Sequence, residues 1–554
     1  MSRRVILYQL GIVLIAALLF IPFIGNLHLF DWDEINFAES AREMILTKDY
    51  LTVKIFFKPF WEKPPLFIWM QVLSMKIFGI NEFAARFPNS VCGIATLLVL
   101  FNIGRSLYNN RFGLIWVMAY VCSVLPFFYF KSGIIDPWFN LFIFLGVFFW
   151  IKAYGATTTK NEITFLLLSA ASLGLAVLTK GPVAILIFGL LVIVLFISGR
   201  FRIPLKWYSL GLFMLTLIFV GGFWFLLQII DGHFDIVKEF IVYQYRLFRT
   251  KDAGHSGFLG YHFVVLLLGV FPASVFAIQG HKYNGERDFK RLFHSAMVIL
   301  FWVVLLLFTV VKTKIIHYSS LCYFPMTYLA AYSLYKIFEG NWKFAIWQKL
   351  LLGVIGFSIS IAVILLPFFI KHKDYFIEKK WITHSFTIGN LQAHTGWTWS
   401  HSLIGVALLL GLIYSLSGLA RNPKTGILIL FASSLLFING IILFLTPGAE
   451  MISQNAAIEF FQKAAKKNVY VYSFYKSYAR LFYTNQQVPK DTLTLNADWL
   501  LKGNIDKDVY SVLRIDKKDE ILKRYPDQEV MYEKNGYVFS VRHPHPVPIE
   551  KNDK

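Results

Sequence analysis

Long apolar runs constrain this chain most. Stretches of about 18 or more residues recur through its first 446 positions, each long enough to cross a hydrocarbon core of about 30 Å. The runs fall near 5–24, 84–104, 112–130, 134–152, 163–180, 182–198, 207–230, 258–279, 292–311, 315–336, 347–370, 401–420 and 425–446, predicting an all-α polytopic membrane domain of about thirteen helices. Composition agrees: 56% of the 554 residues are hydrophobic and only 16% charged, against about a quarter charged in soluble domains. The first run follows Ser2-Arg3-Arg4 as a secretion signal would. Its length, and the lack of a small-x-small site before Asp31, mark it as a retained anchor.

Lys/Arg bias orients the array. With the N-terminus cytoplasmic, the basic loops bearing Arg105 and Arg111; Arg200, Arg202 and Lys206; Lys282, Arg287, Lys290 and Arg291; and Arg421 and Lys424 all fall on the cytoplasmic side. The opposite face then receives the segments 25–83 and 231–257 and a C-terminal tail, 447–554, long enough for a small domain. The tail reads as α/β. Ser453 is placed to cap a helix through Lys466, 468–474 alternates like a strand, 516–525 reads as helical, and Asn535-Gly536 sits between strand-like runs over 529–542, a hairpin signal. Of the 54 basic and 33 acidic residues, the chain from Thr446 onward carries 17 and 14, leaving 37 and 19 for the membrane part. That excess suits anionic head groups and anionic substrates. It does not suggest nucleic acid, because the basic residues sit in short loops between spans. Cys92, Cys122 and Cys322 all lie in apolar stretches without metal-ligand spacing and read as buried hydrophobes.

Outer loop 25–83 opens with Asp31-Trp32-Asp33-Glu34. Ile35, Ala38, Ala41 and Ile45 recur at helical spacing, predicting a helix on the membrane surface with Asp33 as its N-cap. A second interfacial helix, Leu66 to Phe78, follows Pro64-Pro65. Alone, Asp33 is accounted for as a cap and Glu62-Lys63 as a surface pair. Other ionisable residues, however, reach the same face. Asp136 opens the fourth span, Lys180 lies between two spans, and Tyr245, Arg246, Arg249 and His255 follow the seventh. Lys312, Lys314, His317 and Tyr318 join the ninth and tenth. Ionisable groups near membrane depth are costly and mark function or pairing. Two carboxylates, several cations and two histidines on one face suit an anionic-substrate site.

In order, these landmarks resemble the motifs of integral-membrane glycosyltransferases of the GT-C class, nearest the bacterial lipid A aminoarabinose transferases and more distantly the protein O-mannosyltransferases. The motifs are Asp33-Glu34, Phe60-Trp61-Glu62-Lys63-Pro64-Pro65, the run Phe78 to Pro88, Asp136, Thr179-Lys180-Gly181-Pro182, Gly254-His255-Ser256-Gly257, and Lys314 to Tyr318. The resemblance spans roughly residues 1–335. Where family members often carry an Arg-Tyr, this chain reads Ile35-Asn36-Phe37, and Phe60 stands where a tyrosine is common.

The resemblance implies a GT-C fold in a bacterial inner membrane with a periplasmic C-terminal domain. It also implies transfer of a sugar, with inversion, from a polyprenyl (undecaprenyl) phosphate to a lipid A-type lipid, a protein or a surface glycan. Asp33, Glu34 and Asp136 would then be catalytic, Asp33 orienting the acceptor or taking its proton. Lys63, Lys180, Arg246, Lys314, His317 and Tyr318 would bind the donor phosphate, although His317 and Tyr318 are also placed to cap a helix or line the lipid groove. Glu62 and His255 could hold a divalent ion (Zn, or Mg/Mn) or simply hydrogen-bond to each other; two ligands do not specify a metal. The alternative from another class, a transporter or lipid flippase, predicts internal repeats and charges at the bilayer midplane. Here no repeat is evident and the charges sit at the helix ends.

Overall fold

The computed structural model describes residues 2–199, 206–249, 257–285, 288–417 and 422–544. Among them, nine helices are long and apolar enough to cross a membrane, or ten if Tyr261–Gly269 and Ala273–Gly280 form one span bent by 111°. The bend falls at Pro272, which has no N–H for the helical ladder. All thirteen predicted segments are helical, but three fall short of a full span. One is Asn110–Val121 followed by Val124–Tyr129, one is Val183–Ile197, and the third begins with a 3-10 turn, Ile316–Cys322, before Tyr323–Phe338. Hydropathy cannot see where a helix breaks, nor whether lipid or protein covers it. Nearly every residue of Tyr323–Phe338 is buried within the bundle, so its apolarity answers to protein.

The helices pack through small residues, as expected where lipid supplies no hydrophobic drive for association. A Cβ on Gly174 would lie 2.7 Å from Cβ of Val220 and 2.9 Å from the backbone nitrogen of Gly221. That close approach seats Thr159–Lys180 against Trp207–Ile230. The basic loops meet at one end of the bundle. Arg111 and Lys424 both stand over the Phe338 ring, and Lys290 stands over Tyr108.

At the other end, Asp33–Thr47 and Leu66–Phe78 are helices, the second with the predicted bounds. The first is not a surface helix. Ile35, Ala38 and Ala41 are buried as expected, but so are Glu39, Arg42 and Glu43. Its outer side is covered by the C-terminal domain, with which it shares one hydrophobic cluster containing Phe37, Phe67, Phe461 and Phe539. Arg42 binds Glu39 through two 2.7 Å hydrogen bonds and reaches the carbonyl of Gln486 at 2.8 Å. A charged face that sequence reads as solvated is here an interface between domains.

The last span continues past residue 446 through a π-helical turn, Ile441–Leu445, to Met451. The C-terminal domain beyond it is α/β, as expected. Tyr470–Ser473 pairs in parallel with Val509–Arg514, which pairs antiparallel with Tyr537–Arg542, itself antiparallel to Glu529–Lys534. Asn535 and Gly536 make the predicted hairpin, with φ of 50° and 82°, as a two-residue type I′ turn requires. Ser453 caps no helix. Its hydroxyl donates back to the carbonyls of Ala449 and Glu450, and the helix runs Asn455–Ala464.

Candidate active site

A cavity of about 570 Å³ lies between the bundle, the outer loop and the C-terminal domain. It collects Asp33, Glu34, Glu62, Lys63, Asp136, Lys180, His317 and Tyr318 on its walls, eight of the eleven residues singled out in the sequence.

Local structure explains how they meet. Asp136–Tyr154 and Thr159–Lys180 form a helical hairpin, so the first residue of one lies beside the last residue of the other. Asp136 is therefore at a helix N-terminus and Lys180 at a C-terminus, the ends that favour their charges. Lys180 Nζ donates to Asp136 Oδ1 at 2.6 Å, and Gly181, at φ 97°, lets the chain turn away. Lys180 also stands 5.4 Å from the Tyr318 ring centre. The 3-10 turn carrying His317 is pinned from behind. Asn140 Nδ2 donates to Ser320 Oγ at 2.8 Å, and Ser320 Oγ donates to the carbonyl of His317 at 2.5 Å. His317 Nε2 then lies 3.5 Å from Asp33 Oδ2.

Asp33 is not an N-cap. It is the first helical residue, Trp32 takes the cap position, and no side-chain cap bond forms. Its carboxylate is left to face the cavity. Glu34, read as catalytic, has a structural task instead. Its oxygens accept from Arg86 Nε and Nη2 at 2.9 and 2.7 Å, and from the backbone of Phe30 and Gly133 at 2.9 and 2.5 Å. Arg86 spends its remaining donors on the carbonyls of Ile24, Leu27 and His28 at 2.7 to 2.8 Å. Burial raises the Glu34 pKa, but Arg86 and the two backbone bonds outweigh it and leave the pKa below its ordinary value. Bidentate charge-assisted bonds of this kind fix geometry, and here they fix the loop that delivers Asp33.

Lys63 precedes Pro64-Pro65 at the cavity wall. No carboxylate among the described residues lies within 4.0 Å of its ammonium, and the Tyr243 ring centre is 5.3 Å away. Burial lowers the Lys63 pKa, opposed by the fields of Glu62, Asp33 and Asp136 and aided by that of Lys180. An anion at this ammonium would restore its charge balance. Glu62 accepts from the Tyr243 hydroxyl at 3.1 Å.

Two expected residues stand elsewhere. Lys314 donates to the carbonyls of Phe308 and Thr309 at 2.9 and 2.6 Å, so it caps the C-terminal end of Phe289–Val310 rather than reaching for phosphate. Arg246 does not line the cavity; its guanidinium stacks 5.2 Å from the Tyr243 ring centre. His255 lies outside the described residues. Among those described, no three His, Cys, Asp or Glu side chains are grouped to hold a metal.

Sequence reading missed Asp31, Lys131, Lys476 and Tyr478, all on the cavity wall. Lys131 donates to the carbonyl of Pro22 at 2.8 Å. Lys476 and Tyr478 come from the C-terminal domain, and Lys476 stands 4.6 Å from the Trp32 ring centre. No local signal in the tail marks them, because their place follows from docking. Asp31 was legible as a third acid beside Asp33.

Carboxylates and ammonium groups thus converge at one end of a polytopic bundle, beside the C-terminal domain. Residues 62–224 match the family model for dolichyl-phosphate-mannose-protein mannosyltransferase. The chain is 27% identical over 424 residues to the undecaprenyl phosphate-alpha-4-amino-4-deoxy-L-arabinose arabinosyl transferase of Edwardsiella ictaluri, covering 72% of this chain and 75% of that protein. It is 24% identical to the protein of that name from Pectobacterium carotovorum, covering 58% and 57%. The crystal structure of ArnT from Cupriavidus metallidurans bound to undecaprenyl phosphate superposes with a TM-score of 0.74 at 18% identity, over 97% of this chain and 99% of that one. The fold is therefore ArnT-like, and the chain resembles the aminoarabinose transferases.

Proposed function

We propose that this protein is an inverting glycosyltransferase that moves a sugar from a polyprenyl phosphate, of the undecaprenyl type, to a lipid A-type acceptor. The observation that supports it is that the ammonium of Lys63, with no carboxylate within 4.0 Å among the described residues, lines the same cavity as the carboxylate of Asp33. As the sugar–phosphate bond breaks, charge builds on the carrier phosphate, and a fixed cation stabilises it. Lys63 supplies that cation. Lys180, neutralised by Asp136, supplies shape and a weaker field. Asp33, steadied by His317, orients the acceptor opposite the leaving phosphate. Single displacement needs no second carboxylate as nucleophile, unlike a retaining glycosidase.

The basic loops gathered at the far end favour a cytoplasmic placement for that end, which puts the cavity and C-terminal domain on the periplasmic face of an inner membrane. A divalent cation at Glu62 and His255 is a separable part of the proposal, and transfer that survives chelation removes it.

The test is genetic. The gene is deleted in its host, complemented with wild type or Asp33→Asn, and lipid A is weighed by mass spectrometry. A sugar-sized mass should vanish on deletion and return only with wild type. Identical spectra would exclude lipid A as acceptor under those conditions and turn attention to glycoproteins or surface glycans.

A further inference from the structure

Five carboxylates line the cavity, and three of them sit against a basic side chain. Asp33 faces His317, Glu34 is saturated by Arg86, Asp136 holds Lys180, and Glu62 accepts from Tyr243. Asp31 makes no ion pair among the described residues. We propose that Asp31 is the base that receives the acceptor's proton during transfer, a role resting on the transferase reading above.

Its placement suits the task. The C-terminal domain and the end of the last span grip the segment before Asp33 at several points. Tyr483 hydroxyl accepts from Leu29 N–H at 2.7 Å, Gln454 donates to the Leu29 carbonyl at 3.0 Å and accepts from Asp31 N–H at 3.2 Å, and His28 pairs with Glu450. Asp31 is thus held on the cavity wall, exposed to solvent yet with protein on several sides. Ser477 gives its carboxylate one side-chain hydrogen bond. The charged and titratable groups around it are Asp33 on its own segment, and Lys476, Tyr475 and Tyr537 of the C-terminal domain. The same cavity is also lined by Glu62, Lys63 and His317. Burial pushes the Asp31 carboxyl up to about 6, with Ser477 opposing and Asp33 adding to the rise. A base is most effective when its pKa lies near the working pH, whereas the carboxylates paired with cations are poor proton acceptors.

The step balances. An acceptor oxygen forms a bond to the anomeric carbon as the bond from that carbon to the carrier phosphate breaks, and the phosphate leaves with the electron pair. The proton on the attacking oxygen passes to an Asp31 oxygen and then to water. A hydroxyl acceptor always carries that proton. A phosphate monoester, with a second pKa of about 6, carries it part of the time.

The full-length protein in detergent is given an undecaprenyl-phosphate-linked sugar and lipid A, and sugar transfer is followed between pH 5 and 8. Wild type should lose kcat on the acid side with an apparent pKa near 6. Asp31→Asn should lower kcat about 100- to 10,000-fold, leave the donor KM unchanged and abolish the acid limb. Asp31→Glu should recover part of the rate and keep a limb. The inference falls if Asp31→Asn, with unchanged melting temperature, stays within about 3-fold of wild type or retains the acid limb. If Asp31→Asn does not fold, an acid limb in Asp31→Glu at the wild-type position overturns it, and a displaced one supports it. A wild-type protein that transfers nothing defeats the transferase reading itself, a different result from active wild type with an indifferent Asp31→Asn.

Discussion

Asp33 and Glu34 are neighbours in sequence with opposite surroundings. Glu34 is sealed, with every bond it can accept from Arg86 and two backbone amides in place. Asp33, one residue earlier, starts the same helix and, among the described residues, has His317 as its one basic partner, at 3.5 Å. A helix turns each successive residue by about 100°, so the two acids, though both reach the cavity wall, bond to different groups. Two adjacent acids read as one motif are therefore a building part and a working part. Mutation should separate them by which quantity moves, activity or stability.

The largest effects belong to the open side. Asp33→Asn and Lys63→Ala should each lower turnover about 100- to 1,000-fold with little change in melting temperature, measured on purified protein with a polyprenyl-phosphate sugar. If either variant instead unfolds, the contrast between the two acids fails. On the sealed side the order reverses. Removing one partner of a buried ion pair costs about 3–5 kcal/mol, so Glu34→Ala should lower the midpoint of chemical unfolding sharply, with activity lost only as the fold is lost. A Glu34→Ala protein of unchanged stability but no turnover would return Glu34 to the catalytic group.

The same pair sets a pH window. Because the Glu34 pKa is below its ordinary value in the folded state, the pair's stabilisation is fully present above the unfolded carboxyl value of about 4.3 and is lost as pH falls through the lower folded one. Wild-type stability measured at falling pH should therefore lose this contribution only below about pH 4. In Glu34→Gln that loss should be missing from the profile.

Much of this was legible in the chain. The thirteen helical segments, the Asn535-Gly536 hairpin and the ordered acidic and basic landmarks are properties of local pattern, which periodicity and turn chemistry report directly. What was not legible depends on distant partners. Nothing near Glu34 says that Arg86 will come to it, and nothing near Lys314 says that its reach ends at the carbonyls of Phe308 and Thr309. Arg42 is buried against Gln486, and nothing near it announces that, because the tail that covers it lies more than 400 positions away. Lys476 and Tyr478 enter the cavity by the same docking.

The smallest predicted effect sharpens the contrast at its basic end. Lys63 and Lys314 look alike in sequence, each beside other polar residues in a loop on the same face. In the structure Lys63 is a cavity ammonium with no carboxylate in reach among the described residues, while Lys314 is spent on two helix-end carbonyls. Lys314→Met keeps most of the stem's packing and removes the cap, whose loss is typically about 1 kcal/mol. Turnover should stay within about 3-fold of wild type, with a modest fall in melting temperature. Lys63→Met, similar in size, should lose turnover at unchanged melting temperature. The paired measurement isolates where the charge sits from what the residue is. Should both lysines cost activity equally, phosphate recognition extends to the end of Phe289–Val310, and the cap seen for Lys314 belongs to a state that the donor displaces.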